Sequence, residues 1–312
     1  MLESILFSVS VTGPIFLMLV VGFILRRLHW ITDQFVQLGA RLVFNLCLPV
    51  LLFLTISKAN PAQALNLELM GAGVLVTLLG WGLLHGLAPW VAAPRDVGVV
   101  VQGGFRANMG IIGLAYCGAA YGQQGLVVAS LYLALVTVLF NVLSTLSLNW
   151  SLSASRGVIQ QIKGVLRNPL IIGICLALPF SWWQWPLPAM VRQSGEYLAQ
   201  LCLPLALLCA GASVSLKSFK ADSGATGLAC GAKLILMPVL AIAVGVWMDL
   251  LPMALGVLVM MASAPTASAS YAMVRAMGGN AALAANVIAV TTVLGAISVS
   301  LTLSALRFLN LI

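Results

Sequence analysis

Two stretches of the chain combine helix-breaking residues with neutral hydrogen-bonding side chains. The first contains Asn108 and Gly110, and the second contains Ser263, Pro265 and Thr266. Glycine weakens a helix through its backbone entropy, and proline weakens it through its missing N–H and a steric clash. A helix that restarts after a break exposes N–H donors and a partial positive charge, which suit an anion such as a carboxylate. The residue types therefore predict an anion-binding site built from two broken helices.

The composition of the chain predicts that these stretches lie in a membrane. Of the 312 residues, 62% are hydrophobic and 7% are charged, against about 25% charged in a typical soluble domain. Too few charges remain to cover a soluble globule, so we expect an all-α polytopic membrane protein. This excludes nucleic acid as a partner, and the net charge of +8 is explained by the Lys and Arg residues typical of cytoplasmic loops.

The sequence gives no sign of a metal site, a cofactor or an enzyme. The six cysteines lie in apolar stretches and form no Cys/His cluster, so neither a zinc site nor a disulfide framework is predicted. An intramembrane hydrolase would need a nucleophile and a base. His85 is the one histidine inside a predicted span, and no serine nucleophile motif accompanies it.

Apolar runs long enough to cross a bilayer predict ten membrane-spanning helices, since a span needs about 20 residues. They lie at about 4–25, 36–57, 69–91, 98–120, 125–149, 168–185, 194–216, 225–248, 252–275 and 283–307. The start of the chain lacks the basic region of a signal peptide, so the first run is expected to be a retained span. The longest polar connection, residues 150–167, divides the chain into halves 1–155 and 156–312.

Basic residues near the span ends predict the orientation. If the N-terminus lies outside, nine basic residues fall on the inner side and three on the outer side, which favours both termini on the outer side of a bacterial inner membrane. The nine are Arg26, Arg27, Arg95, Arg156, Lys163, Arg167, Lys217, Lys220 and Arg275, and the three are Lys58, Arg192 and Arg307.

A repeat with an offset of 155 residues relates the two halves. Residues 46–49 read Leu-Cys-Leu-Pro and recur at residues 201–204, and Pro14 recurs as Pro169. Each half holds five predicted spans, an odd number, so the second copy must be inverted. Inverted repeats are typical of secondary transporters, which bind substrate near the midplane where discontinuous helices meet. The alternative is an old duplication that is retained for packing.

The two breaks occupy matching positions of this repeat. Asn108 aligns with Ser263, and Gly110 aligns with Pro265. Unpaired backbone groups are tolerated in lipid only where they line a cavity, which favours a binding site. For any single serine the alternative is close packing, because small residues let membrane helices approach and Ser or Thr hydroxyls bond to backbone carbonyls.

Ionisable and amide side chains inside the predicted spans extend the candidate site. Arg106 could attract an anion, pair with a carboxylate or extend to the interface. Glu196 is the acidic residue closest to a span interior and could carry protons. Asn45 and Gln200, equivalent at the 155-residue offset, either face the cavity or bond to neighbouring helices. We see no cluster of carboxylates that would bind sodium or relay protons.

Four motifs in order along the chain resemble the auxin efflux carrier family of bacteria and plants. They are Leu-Val-Phe-Asn-Leu-Cys-Leu-Pro at 42–49, Asn-Met-Gly at 108–110, Lys-Leu-Ile-Leu-Met-Pro at 233–238 and Ala-Pro-Thr-Ala at 264–267. The resemblance implies the fold of bile-acid sodium symporters and sodium/proton antiporters. It also implies a scaffold of spans 1, 2, 6 and 7, and a transport domain of spans 3–5 and 8–10 in which broken spans 4 and 9 cross.

The chain departs from the plant members of that family. Plant relatives carry an Asn-Pro crossover in both broken helices and a long central hydrophilic loop. Here span 4 has Gly110 and no proline, span 9 has Pro265 with Ser and Thr, and the middle loop is short. We therefore expect a malonate-like carboxylate in preference to an auxin-like acid.

The sequence as a whole predicts a secondary transporter that exports or exchanges a small organic anion by an elevator mechanism. Asn108, Ser263 and Thr266 would contact the anion, and Asn45 and Gln200 would complete the cavity. The expected surroundings are the lipid bilayer, with a homodimer left open. The alternatives are a sodium- or proton-coupled importer of organic anions or amino acids, a channel, and an intramembrane hydrolase.

Overall fold

The structure is a computed structural model that describes residues 2–59, 66–152, 168–214 and 223–312. Apart from one isolated bridge, every regular element in these ranges is helical, which confirms the all-α prediction. The α-helices are α1 (Leu2–Arg27), α2 (Asp33–Leu42), α3 (Leu48–Ser57), α4 (Leu67–Leu87), α5 (Val97–Phe105), α6 (Leu114–Leu152), α7 (Pro169–Trp183), α8 (Ala189–Ala212), α9 (Ser223–Gly231), α10 (Met237–Trp247), α11 (Pro252–Ser263), α12 (Ala269–Ala276) and α13 (Ala281–Phe308).

Three π-helical turns interrupt this series, and a short 3-10 turn, Ala88–Trp90, follows α4. The π turns are Val43–Cys47 between α2 and α3, Met109–Gly113 before α6, and Ala232–Leu236 between α9 and α10. In the first and third cases a proline, Pro49 or Pro238, lies at the start of the following helix. Proline cannot donate the next helical hydrogen bond, so a wider turn at this point is favourable.

Seven helical stretches of the described residues are long and apolar enough to cross a membrane. The longest, Met109–Leu152, contains Gly122 with φ 59° and ψ −142°. A Cβ atom on Gly125 would lie 2.5 Å from the Cys117 carbonyl oxygen, whereas residues eight apart in a straight helix are separated by about 12 Å. The chain therefore reverses at Gly122 and forms two antiparallel helical segments.

The helices that cross the molecule include several short ones. α7 and α11 are apolar but have only 15 and 12 residues, and α5 has nine. The prediction of multiple membrane spans is confirmed, and the number ten stays a prediction. The boundary at residues 155 and 156 lies outside the described residues, as do Arg156, Lys163, Arg167, Lys217 and Lys220.

Close backbone contact joins α1 to α8. A Cβ atom on Gly22 would come within 2.2 Å of the Leu208 carbonyl oxygen, and one on Gly211 within 2.0 Å of the Leu19 carbonyl oxygen. Glycine at both positions lets the two helices touch along their backbones, as small residues do in membrane proteins. α3 packs against α7 and α8, so the first half and the second half of the chain share this side of the molecule.

Candidate functional site

The two broken helices meet and cross at their breaks. α5 ends at Phe105 and α11 ends at Ser263, and extended segments follow both. Ala107 and Thr266 form an antiparallel bridge there. The sequence predicted a break in each of these helices, and the crossing places the two breaks in direct contact.

Backbone hydrogen bonds hold the crossing together. The Asn108 N–H donates to the Pro265 carbonyl over 2.7 Å, and the Ala267 N–H donates to the Arg106 carbonyl over 3.1 Å. The extended residues therefore satisfy part of their own backbone polarity, which a break inside a membrane requires. Pro265 is placed where its missing N–H costs nothing, because its carbonyl is the group that is used.

The crossing has two chemically different ends. We call the donor pole the starts of the two helical segments that follow the breaks, at Met109 and Ala269. We call the acceptor pole the last turns of α5 and α11. Free N–H groups and a partial positive charge collect at a helix start, and free carbonyls and a partial negative charge collect at a helix end.

A side chain fills the acceptor pole. Lys233, in the π turn between α9 and α10, is completely buried, and its Nζ atom donates to the carbonyl oxygens of Phe105 over 2.9 Å and Ala262 over 3.3 Å. Thr266 contributes as well, since its hydroxyl donates to the Gly103 carbonyl over 2.6 Å. The carbonyls at this pole are therefore bonded to groups of the protein.

The donor pole has no such partners. Neither Asn108 nor Ser268, the residues that precede the two helical segments, caps its helix with a side-chain hydrogen bond. Both line two cavities, with volumes of about 880 Å³ and 640 Å³, which we call the larger and the smaller cavity. Met109, Gly110 and Ala269 also line the smaller cavity, so this cavity reaches both helix starts.

The smaller cavity is lined by cations and amides. Its charged and polar lining consists of Arg41, Asn45, Arg106, Asn108, Thr137, Asn141, Asn168 and Ser268, without an acidic residue among the described lining. The larger cavity is lined by Arg26, Arg27 and His29, with one acidic residue, Asp33, which forms an ion pair with Arg26. Both cavities are therefore better suited to an anion than to a cation.

Arg106 is the buried charge beside the donor pole. It is 8% exposed and lines the smaller cavity. One guanidinium nitrogen donates to the Asn141 side-chain oxygen over 2.8 Å, and another lies 3.2 Å from the Met273 sulfur. No acidic residue of the described chain pairs with Arg106. Since a guanidinium carries five N–H donors, most of its capacity stays available to a ligand.

The residues predicted from the sequence separate into two groups. Asn45, Asn108, Gly110 and Arg106 line the smaller cavity. A Cβ atom on Gly110 would stay 3.9 Å from the nearest atom, on Leu48, so the space there is not what requires glycine.

The other predicted residues line neither cavity. Thr266 and Pro265 serve the crossing itself, and Ser263 is buried with a hydroxyl that finds no partner among the described residues. Gln200 lies exposed on α8. Glu196 is bonded to Lys58, Oε1 to Nζ, over 2.9 Å, with about half of each side chain in solvent.

The position of Ser263 follows from the register of the two breaks. The broken helices end at Phe105 and Ser263, which are 158 residues apart, and not at the offset of 155 seen in the sequence repeat. Ser263 is therefore still helical, whereas Asn108 lies beyond the break with φ −80° and ψ 62°. The residue beyond the break in α11 that faces the cavities is Ser268.

Sequence reasoning missed Asn141, Arg41 and Ser268 as lining residues and Lys233 as a partner of the crossing. Asn141 lies in an otherwise apolar stretch of α6, seven helical turns of sequence away from any motif. Its isolation among apolar residues was a usable signal, because polar side chains inside membrane spans mark functional paths or helix contacts.

Comparison with known proteins agrees with this geometry. A family model described as membrane transport protein matches residues 153–303, nearly all of the second half of the chain. This chain belongs to that family. The predicted resemblance to the auxin efflux carriers is thereby confirmed. An uncharacterized transporter of Methanothermobacter thermautotrophicus is 22% identical over 267 residues, which cover 83% of this chain and 85% of that protein.

One Ser–His contact in this membrane transport protein resembles part of a hydrolase site. His85 Nε2 lies 3.0 Å from the Ser147 hydroxyl oxygen, which also accepts from Trp81 and donates to the Leu143 carbonyl. The hydroxyl is completely buried and lines neither cavity. A nucleophile needs a substrate within reach and a base that is free to take its proton, and this arrangement supplies neither. It joins α4 to α6.

Proposed function

We propose that this membrane transport protein is a secondary transporter of a small organic anion, bound in the smaller cavity at the donor pole. The observation that carries the proposal is the convergence of two uncapped helix starts and the buried guanidinium of Arg106 on one cavity without an acidic lining residue. Helix starts and arginine both favour a carboxylate, the first through N–H groups and the second through paired donors.

The size and the walls of the cavity support this class of ligand. A volume of about 640 Å³ lies within the range of about 300–1,000 Å³ that small-molecule sites occupy. Phe44, Leu48, Leu133, Phe140 and Leu170 supply apolar wall opposite the polar residues. A ligand with one carboxylate and a short apolar body fits both parts, and this description covers a malonate-like carboxylate or an auxin-like acid.

We propose ten membrane crossings in two inverted halves, with the broken helices carried by a moving transport domain. The reversal at Gly122 supports this count, because it turns the longest apolar stretch into two segments. The shared packing of α3 with α7 and α8 supports a scaffold made from both halves. The proposed direction is export or exchange across the bacterial inner membrane, with both termini outside.

A coupled importer is less well supported by the described residues. Coupling by a carboxylate would need an acidic residue at the site, and the acidic residue once considered for it, Glu196, is bonded to Lys58 away from both cavities. The one acidic residue that lines a cavity, Asp33, pairs with Arg26.

The test is transport in proteoliposomes with radiolabelled malonate and indole-3-acetate, each compared with its neutral amide. We expect saturable uptake of at least one acid, faster exchange when the same acid is present inside, and no uptake of the amides. Asn108→Ala and Arg106→Gln should reduce the uptake. Ser263→Ala is the matched control, since Ser263 is equally buried but lines neither cavity, and it should leave uptake unchanged.

Two results would contradict the proposal. Uptake that does not saturate and shows no exchange would indicate a channel. Uptake of the acids at the wild-type rate by both cavity variants would remove the donor pole from the transport path.

A further inference from the structure

Lys233 is a buried cation whose partners are carbonyl oxygens and not a carboxylate. Its Nζ atom donates to Phe105 at the end of α5 and to Ala262 at the end of α11. No acidic residue of the described chain forms an ion pair with it. An isolated charge is costly inside a membrane protein, so an ammonium in this position indicates a specific electrostatic partner.

The partner is the acceptor pole itself. Two helix ends converge there, and each contributes a partial negative charge from its last carbonyls. In transporters with broken helices, such carbonyls and helix ends are the groups that coordinate a coupling cation. Backbone carbonyl oxygens are also the ligands that strip water from monovalent cations in ion channels. The ammonium of Lys233 therefore occupies a place with the chemistry of a monovalent cation site.

The surroundings of Lys233 contain a further oxygen that has no partner. The hydroxyl of Ser263, next to Ala262 in the chain, is 1% exposed and is not hydrogen-bonded within the described residues. Gly103, which is one turn before the end of α5, already accepts from Thr266. With the lysine side chain removed, two carbonyls and one hydroxyl would remain unbonded in one small region.

We propose that Lys233 is a built-in cation that fills a latent monovalent cation site at the acceptor pole. The lysine neutralises the converging helix ends permanently, so the crossing is complete without sodium. The proposal adds to the transport function and does not depend on which anion binds at the donor pole.

The test uses the thermal unfolding of the purified full-length protein, without any organic anion, in choline chloride and in equal concentrations of lithium, sodium or potassium chloride. The wild-type Tm should be the same in all four salts. Lys233→Ala should have a lower Tm in choline chloride and should regain part of the loss in at least one of the alkali salts, with a saturating dependence on that cation. A ligand that binds only the folded state raises apparent stability in this way.

Two further variants separate a cation site from general destabilisation. Lys233→Met removes the charge but keeps most of the volume, so it should have a lower Tm in every salt without recovery. Lys58→Ala removes an exposed lysine that pairs with Glu196 and should respond to the four salts as the wild type does.

Three results would overturn the proposal. The first is a wild-type Tm that rises with sodium over choline, because the site would then not be filled. The second is a Lys233→Ala protein with the same Tm in all four salts. The third is a Lys233→Ala protein that does not fold in any of them, because a vacated site would take up a cation from the medium.

Discussion

The two poles of the helix crossing have opposite polarity and are treated in opposite ways by the protein. At the acceptor pole, Lys233 and Thr266 bond to the carbonyls at the end of α5 and α11 and exclude solvent. At the donor pole, Asn108 and Ser268 leave the helix starts uncapped beside two cavities. The difference teaches that a broken helix is a binding site only at the end that the surrounding side chains leave open.

The largest effect on stability should come from the acceptor pole. We expect Lys233→Met to lower the free energy of unfolding by about 2 kcal/mol or more, because each buried carbonyl left without a donor costs about 1–3 kcal/mol. Tm in detergent is the measurement. A variant as stable as the wild type would show that the ammonium does not stabilise the crossing.

The largest effect on ligand binding should come from Arg106 at the donor pole. We expect Arg106→Gln to weaken carboxylate binding about ten- to hundredfold, since a hydrogen bond to a charged group contributes about 1.5–3 kcal/mol. Equilibrium binding of a transported acid measures it. Arg192→Gln, a change at an exposed arginine of α8 that lines neither cavity, should bind as the wild type does, and an equal loss in both variants would contradict the account.

Thr266 should affect stability and leave ligand contact unchanged. We expect Thr266→Val to cost about 1–3 kcal/mol, because the Gly103 carbonyl at the end of α5 loses its donor. Thr77→Val is the matched control. The Thr77 hydroxyl bonds to Gly73 within α4, whose carbonyl keeps its helical partner, so a smaller loss of Tm is expected. Equal losses would show that the crossing gives the Thr266 bond no special value.

Asn108 and Ser263 were equivalent in the sequence repeat, and the structure separates them. Asn108→Ala should weaken anion binding up to about tenfold, since a neutral hydrogen bond contributes about 0.5–1.5 kcal/mol. Ser263→Ala should leave binding unchanged and should not lower Tm, because its hydroxyl has no partner among the described residues. Isothermal titration of both variants decides between them, and a larger loss at Ser263 would reverse the assignment.

The smallest effect is expected at Gly110. A Cβ atom there would sit at ordinary contact distance from Leu48 and Leu170, so Gly110→Ala should fold normally, with a Tm equal to that of the wild type or slightly higher because alanine favours a helix. Its methyl group would enter the smaller cavity and raise KM a few-fold. A marked fall in Tm would mean that the position is packed more tightly than the structure shows.

The sequence was sufficient to predict the fold class and the existence of the breaks. Composition alone requires a membrane protein, and Gly110 and Pro265 are residues that helices avoid in their interior. The side chains at the site were harder to predict, because a serine or threonine in a membrane helix bonds to carbonyls as readily as to a ligand. Thr266 does the first, and no local pattern distinguishes it from Asn108.

Two features depended on contacts between distant parts of the chain. Lys233 meets Phe105 across 128 residues and Ala262 across 29 residues, so its role is invisible in its own helix. The three-residue difference between the repeat offset and the helix ends moved Ser263 out of the site. Such shifts arise from how the two breaks pack together, which a one-dimensional alignment does not record.

The central claim is that the donor pole binds an organic anion while the acceptor pole is filled by the protein. It is tested most directly by thermal unfolding of the wild type with malonate and indole-3-acetate, each beside its neutral amide, repeated with Arg106→Gln. The account predicts that at least one acid raises Tm, that its amide does not, and that Arg106→Gln abolishes the rise. A rise that is equal for acid and amide, or unchanged in Arg106→Gln, would contradict it.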